Sequence, residues 1–247
     1  MTRHVLLDIS THRNLRVSQR YSAQFGDGVA TVVTFPTEFV HLQREYPILF
    51  RKDAKTGEFL SVALLGFNKD ENLFLDGDRW EAWYVPGVIA RGPFLIGFQD
   101  RNEGGEVRRE PVVLVDMDDP RVGDAQGAAV FDEHGETPYL EHIASILNGL
   151  HGGIAASKPM FEAFTALDLI EPVKLEIQIT ESEKYSLLGL FTINEQKLAA
   201  LEGESLLRLN QAGFLQCAFF VLASLANVKK LIDLKLKRRQ GQRAESG

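Results

Sequence analysis

The residues that could do chemistry in this chain are its histidines, its aspartates, one cysteine and an aromatic–arginine cluster. The histidines are His4, His12, His41, His134, His142 and His151. No His-Glu-x-x-His occurs. His142 and His151 are nine residues apart, about 900° of helix rotation, so on one continuous helix they face opposite sides and cannot share an ion. His134 and Glu136 form a His-x-carboxylate pair, two ligands of the facial triad that holds non-haem iron. The third ligand would have to come from elsewhere, and the flanking "FDEHGET" reads as a turn. Asp116, Asp118 and Asp119 in "DMDDP" have the acidic density of a calcium loop, but Pro120 stands at the third ligand position. Without that ligand the aspartates read as turn caps on a solvated acidic loop.

Nucleotide and nucleophile motifs are absent. There is no G-x-G-x-x-G, no G-x-x-x-x-G-K-[ST] and no G-x-S-x-G. Cys217 is the single cysteine. It lies in the apolar run "FLQCAFFVLASLANV", where a thiol is a small core residue rather than a nucleophile, which needs a cationic, partly exposed setting. No cofactor is expected.

The strongest binding candidate is "DRWEAWYVPGVIARGPFLIG", which holds both tryptophans. On a strand, Trp80, Ala82 and Tyr84 share one face, and Arg79, Glu81, Trp83 and Val85 the other. Large aromatics therefore appear on both faces. One face lines a core, and the other must be covered by the helical half, a partner or a ligand. Arg79 and Arg91 are placed to stack on these rings. Core packing is the expected role of two of the three aromatics.

The elements that must carry these residues read as α+β. The first 135 residues are β-rich. Residues 28–35 are β-branched and bounded by glycine and proline. "EYPILFRKDAKTGEFLSVALLGF" is a hairpin turning at "KDAKTGE", and Asp76-Gly77 marks another. Residues 97–136 hold eleven acidic against four basic residues and read as a long acidic connection around one strand, residues 111–117. Helices follow from Thr137, an N-cap before Pro138. "HGG" at 151–153 is expected to end the first helix, with a second starting near Lys158-Pro159. "VKLEIQIT" and "YSLLGLFTI" form a hairpin inside this helical part. Asn194 caps a short helix, another ends at Gly213, and the last runs from Phe214 to about Lys237. The antiparallel β-rich N-terminal part and the helical C-terminal part are expected to share one core in a single domain.

Composition is that of an ordinary globular chain, 45% hydrophobic and 25% charged. A net charge of −7 repels phosphate backbones, so nucleic acid is not an expected partner. The N-terminus lacks an apolar stretch of signal-peptide length. The most apolar segment, residues 214–228, is shorter than the ~20 residues of a membrane span. A cytoplasmic location is expected. The tail "KKLIDLKLKRRQGQR", within residues 229–247, carries seven basic residues and one acid. It reads as a solvated helix end, with contact to an anionic membrane surface or acidic partner as the alternative.

Five segments carry a family resemblance: "YPILFRKDAKTGEFLSVALLGF", "DRWEAWYVPGVIARGPF", "DEHGETPYLEHIASIL", "GLFTINEQKLAAL" and "GFLQCAFFVLASLANVKKLI". In this order they resemble the SapC family of bacterial proteins over nearly the whole chain. The resemblance implies an association with surface-layer gene clusters. It brings no catalytic residues with it. The peptide-transport permease that shares the name is a different protein, which needs several membrane spans.

Two functional readings follow. The first is a non-catalytic accessory or interaction protein of a bacterial envelope or surface-associated system, with a protein partner. Self-association through the apolar last helix is a variant of it. The second is an enzyme or ligand-binding enzyme partner, built on an aromatic pocket of Arg79, Trp80, Trp83, Tyr84 and Arg91. Asp116, Asp118, Asp119, His134 and Glu136 would be its metal ligands.

Overall fold

The computed structural model describes residues 3–103 and 106–245. The fold is α+β, and two sheets organise it. The main sheet has five antiparallel strands in the order β13-β14-β4-β5-β3. They are β3 (Thr31–Thr34), β4 (Ile48–Lys52), β5 (Phe59–Leu64), β13 (Ile170–Thr180) and β14 (Glu183–Ile193). The second sheet joins β1 (His4–Leu6), β9 (Glu106–Asp116) and β8 (Phe94–Glu103). Two-residue ladders pair β2 (Arg16–Val17) with β10 (Ala128–Ala129), β6 (Leu75–Asp76) with β7 (Arg79–Trp80), and β11 (Phe131–Asp132) with β12 (Gly135–Glu136).

The expected hairpins are present. The β4–β5 turn is held by Asp53, whose carboxylate accepts the amides of Lys55 and Thr56 at 2.9 Å each, and Gly57 takes φ +72°. The β6–β7 turn uses Gly77 at φ +60°, a conformation that favours glycine. The acidic connection is largely not a loop. Strands β8 and β9 pair antiparallel along their length, in register from Phe94 opposite Val115 to Glu103 opposite Glu106.

The β-rich N-terminal part and the helical C-terminal part with its inserted hairpin are both present, as expected, and the hairpin joins them. Strand β14, from the C-terminal hairpin, pairs with β4 through Leu190–Arg51 and Phe191–Phe50. The C-terminal hairpin thus extends the N-terminal sheet, and both halves contribute to one large core. A smaller core lies between the second sheet and the N-terminal part of the long helix, built on Val17, Phe94, Val115, Ile143 and Leu147.

The helices in chain order are α1 (Ile9–His12), α2 (Phe39–Leu42), α3 (Gly87–Ala90), α4 (Pro138–Ala166), α5 (Glu195–Ala199), α6 (Gly203–Gln211), α7 (Phe214–Ser224) and α8 (Val228–Glu245). Helix α4 starts as expected, with the Thr137 hydroxyl accepting the Leu140 amide. It does not stop at Gly152-Gly153. It continues for 29 residues and passes through Pro159. Gly153 is a packing residue rather than a stop: a Cβ there would lie 2.5 Å from the Phe35 Cβ and the Thr37 Oγ1. The α4 backbone therefore sits directly on the turn at Pro36–Glu38.

Helix α7 continues through a 3-10 turn at Leu225–Asn227 into α8. Taken together, Phe214–Gly241 is long and apolar enough to cross a membrane by length and composition, with a mean hydropathy of 1.4 in its most apolar window. This is longer than the 15-residue run seen in the sequence. Its residues are nonetheless parts of the fold. Cys217, Ala218, Val221 and Ser224 are buried, the Ser224 hydroxyl accepts the Ile48 amide at 2.8 Å, and the Asn227 side chain donates to the Gln43 carbonyl at 2.9 Å.

The basic tail is docked as well. Lys230 reaches Glu45 at 2.6 Å and Lys235 reaches Glu71 at 2.5 Å. Arg238 donates to the Leu75 carbonyl and Arg239 pairs with Glu183. The expected solvated helix end is instead a strap of cations over the acidic body. Lys229 and Lys237 remain exposed.

Candidate functional site

The segment from Arg79 to Gly87 is built outward from buried polar groups. At its start the Trp80 ring lies against the core, 6.5 Å from Phe74 and nearly parallel to it, with Tyr21 edge-on at 5.6 Å. Its Nε1 donates to the Tyr46 hydroxyl at 2.8 Å. Tyr46 is fully buried and donates in turn to the Tyr84 carbonyl at 2.5 Å. Burial pushes the Tyr46 phenol well above its ordinary range, partly offset by the Trp80 hydrogen bond.

Glu38 is the second anchor. It is 5% exposed, and both oxygens are filled. One accepts the Thr34 hydroxyl at 2.6 Å and the Phe35 amide at 3.2 Å. The other accepts the Tyr84 hydroxyl and the Gly87 amide, both at 2.9 Å. Four donors balance a carboxylate that has no ion-pair partner among the described residues. Burial first, and then the Glu38 charge, raise the Tyr84 phenol so that it stays a donor. A Cβ at Gly87 would come within 2.9 Å of Leu150 and 3.3 Å of Glu38, which fixes a glycine there.

Glu45 is the third anchor. Its carboxylate accepts the Trp83 amide at 2.6 Å and the Lys230 ammonium at 2.6 Å. Backbone and flanking side chains are thus tied down on both sides of residue 83. The Trp83 ring itself is 98% exposed.

Five ring-and-arginine residues were expected around one aromatic pocket, and the structure separates them. Trp80 and Tyr84 point inward and Trp83 points out. Ladder pairing stops at Trp80, yet inside–outside alternation persists through Tyr84. Neither Arg79 nor Arg91 stacks on a ring. Arg79 lies 3.6 Å from Glu81 on the surface. Arg91 donates to the Phe94 carbonyl at 2.7 Å, with its pKa lowered by burial and then by the nearby Arg121. Cations lie over other rings instead, among them Phe25 under Arg121, Phe74 under Lys230 and Phe59 under Lys52.

The five metal candidates are not gathered. Asp116 accepts the Asp118 amide at 3.1 Å and lies 3.7 Å from His4. Asp119 pairs with Arg121 at 3.1 Å. His134 projects into solvent beside Glu133, and Glu136 sits on the short strand β12. Among the described residues no group of three His, Cys, Asp or Glu side chains comes together to hold an ion. Cys217 is buried, and burial pushes its thiol up to about 11.

Two places escaped the sequence reading. Arg121 is buried, bonded to Asp27 at 2.6 Å and to Asp119. It borders a small cavity of about 160 Å³ with Tyr21, Tyr139 and His142, where its charge is already matched by the two aspartates. A much larger slot of about 890 Å³ lies between α4 and strands β3 and β5. Its signal in the sequence was one hydroxyl, Ser61, inside the apolar run "FLSVALL".

The SapC family profile matches residues 7–231. The chain belongs to the SapC family. No curated protein and no solved structure shows a significant match to it.

Proposed function

We propose that this SapC-family chain is a non-catalytic interaction protein of a bacterial surface-associated system, and that Trp83 is the anchor that engages its protein partner. The observation that carries this reading is the 98% exposure of Trp83 on a backbone pinned by Glu45, Tyr46 and Glu38. Tryptophan heads the residues that dominate protein interfaces. Burying such a ring removes about 150–250 Å² from water, worth about 4–6 kcal/mol before the costs of association. Because the loop is already tied down, little conformational entropy is lost when a partner covers the ring. The helical half of the chain does not cover Trp83, so the cover must come from outside. The surface-associated setting is the one the family resemblance implies. The enzyme reading needs Trp80, Trp83 and Tyr84 to line one pocket, and a ring 98% exposed lines no wall.

The test is capture of a partner from an extract of the protein's own cells by the full chain, Trp83→Phe and Trp83→Ala. Circular dichroism should be unchanged in all three. Trp83→Ala should lose at least about tenfold in captured partner, since the ring is treated as a hot spot, and Trp83→Phe should retain part of it. Equal capture by all three would sink the assignment.

A further inference from the structure

We propose that the slot between α4 and the main sheet binds an elongated, uncharged, mainly apolar small molecule whose hydroxyl or carbonyl head hydrogen-bonds the Ser61 hydroxyl. This site is separate from the Trp83 surface and stands without it.

The slot's volume, about 890 Å³, falls in the range of small-molecule sites, whereas packing voids in protein interiors are far smaller. Its walls include Val33, Phe35, Phe59, Leu60, Ile154 and Phe161. They are held in place. Helix α4 is seated on Phe35 at Gly153, and again where Phe161 stacks on Phe59 at 5.8 Å and meets Phe50 edge-on at 5.0 Å. Residues Ile154 to Ala166 of α4 border the slot, a run of roughly 18 Å at 1.5 Å per residue. The shape therefore favours a long molecule.

Ser61 supplies the polar contact. The residue is 3% exposed, and its Oγ has no hydrogen-bond partner. It shares a sheet face with Phe59, two residues earlier on β5, and Phe59 packs on α4. The hydroxyl therefore looks into the slot. Its neighbour across the ladder, Thr34, has a partner in Glu38. The other buried hydroxyl without a partner, Thr192 Oγ1, does not border the slot. A buried hydroxyl left unpaired destabilises the fold, and a ligand oxygen would remove that deficit.

Charge selects the head group. Glu58, Glu162 and Lys158 are the charged residues lining the slot, and none is in an ion pair among the described residues. Two carboxylates against one ammonium disfavour an anionic head, so an alcohol or carbonyl is preferred over a carboxylate or phosphate.

The test uses 1-decanol, decanoate and decylamine to displace N-phenyl-1-naphthylamine from the full chain, followed by fluorescence. The expected order places decanol first, decylamine second because its ammonium loses hydration in the apolar slot, and decanoate at least about tenfold weaker than decanol because it also meets the two carboxylates; decylamine binding as tightly as decanol overturns the proposal. Ser61→Ala should weaken decanol by about tenfold, the scale of one hydrogen bond, while its melting temperature stays level or rises. A serine kept for structure would instead lose stability when truncated. Ala155→Phe, at an exposed helix position bordering the slot, should abolish displacement and leave the fold intact. Displacement by none of the three probes, decanoate binding as tightly as decanol, or full affinity in Ser61→Ala overturns the proposal.

Discussion

The segment around Trp83 and the slot under α4 lie on two sides of one buried carboxylate, Glu38, and each contains a group in the wrong surroundings. At the first, a large apolar ring stands in water while every polar atom beneath it is paired. At the second, a polar hydroxyl stands in an apolar cavity while the aromatic walls around it are packed. A fold built for stability alone would reverse both. Paired polar groups such as Glu38, Glu45 and Tyr46 shape the molecule, and the exposed ring and the unpaired slot hydroxyl are the observations on which the two proposals rest. An exposed ring on a stiff mount fits a macromolecular surface, and a buried unpaired hydroxyl fits a small molecule.

The comparison breaks first if the paired groups prove dispensable. Glu38→Gln replaces an acceptor by an amide facing the Tyr84 and Gly87 donors or the Thr34 and Phe35 donors. It should destabilise the chain by on the order of 3–5 kcal/mol, read from urea denaturation. An effect within 1 kcal/mol of zero, judged against that scale, would show that the carboxylate does not organise the mount.

Alkaline pH attacks the same mount through its phenols. Tyr46 and Tyr84 have folded-state pKa values raised above the ordinary 10.0, chiefly by burial. An unfolded tyrosine ionises first, so the stability these groups contribute is fully present below pH 10.0 and is lost as pH rises above it. Tyrosinate absorbance from these two residues should appear together with the loss of tertiary signal. Their ionisation in a still-folded protein would contradict the mount as described.

Smaller effects sharpen the contrast. Tyr46→Phe leaves the Trp80 Nε1 donor and the Tyr84 carbonyl without their shared partner, which should cost about 1–3 kcal/mol. Trp83→Ala should change stability by less than about 0.5 kcal/mol, because its ring packs on nothing. The two substitutions, measured by the same denaturation, should differ clearly, and equal losses would mean that Trp83 is part of the core.

The sequence revealed the elements whose local chemistry is self-contained. Asp53 and Gly57, or Gly77, specify their turns within a few residues, and strict alternation in "VKLEIQIT" needs no distant partner. That Trp80 and Tyr84 share a face opposite Trp83 was legible from the same alternation, whereas which face turns inward was not. What could not be read was set by contacts far apart in the chain. Gly152-Gly153 resembles a helix stop until Phe35 is placed against it. The polar run of residues 99–110 lacks an apolar alternation and reads as a loop, although residues 99–103 and 106–110 are paired strand. The cationic tail looks free until Glu45, Glu71 and Glu183 are brought beneath it. Ser61 was passed over because a search for nucleophiles asks for a neighbouring base, whereas its distinction is a buried hydroxyl without a hydrogen-bond partner.

The most direct measurement is fluorine NMR of the chain labelled with 5-fluorotryptophan, in which Trp80 and Trp83 are the two reporters. The account predicts that the Trp83 resonance responds fully to exchange of water for heavy water while the Trp80 resonance barely moves. On adding an extract of the protein's own cells, the Trp83 resonance should shift and lose its solvent response, with Trp80 held at its position. Two equally shielded resonances, or a Trp83 signal unchanged by the extract, would contradict the claim that this ring is displayed for a partner.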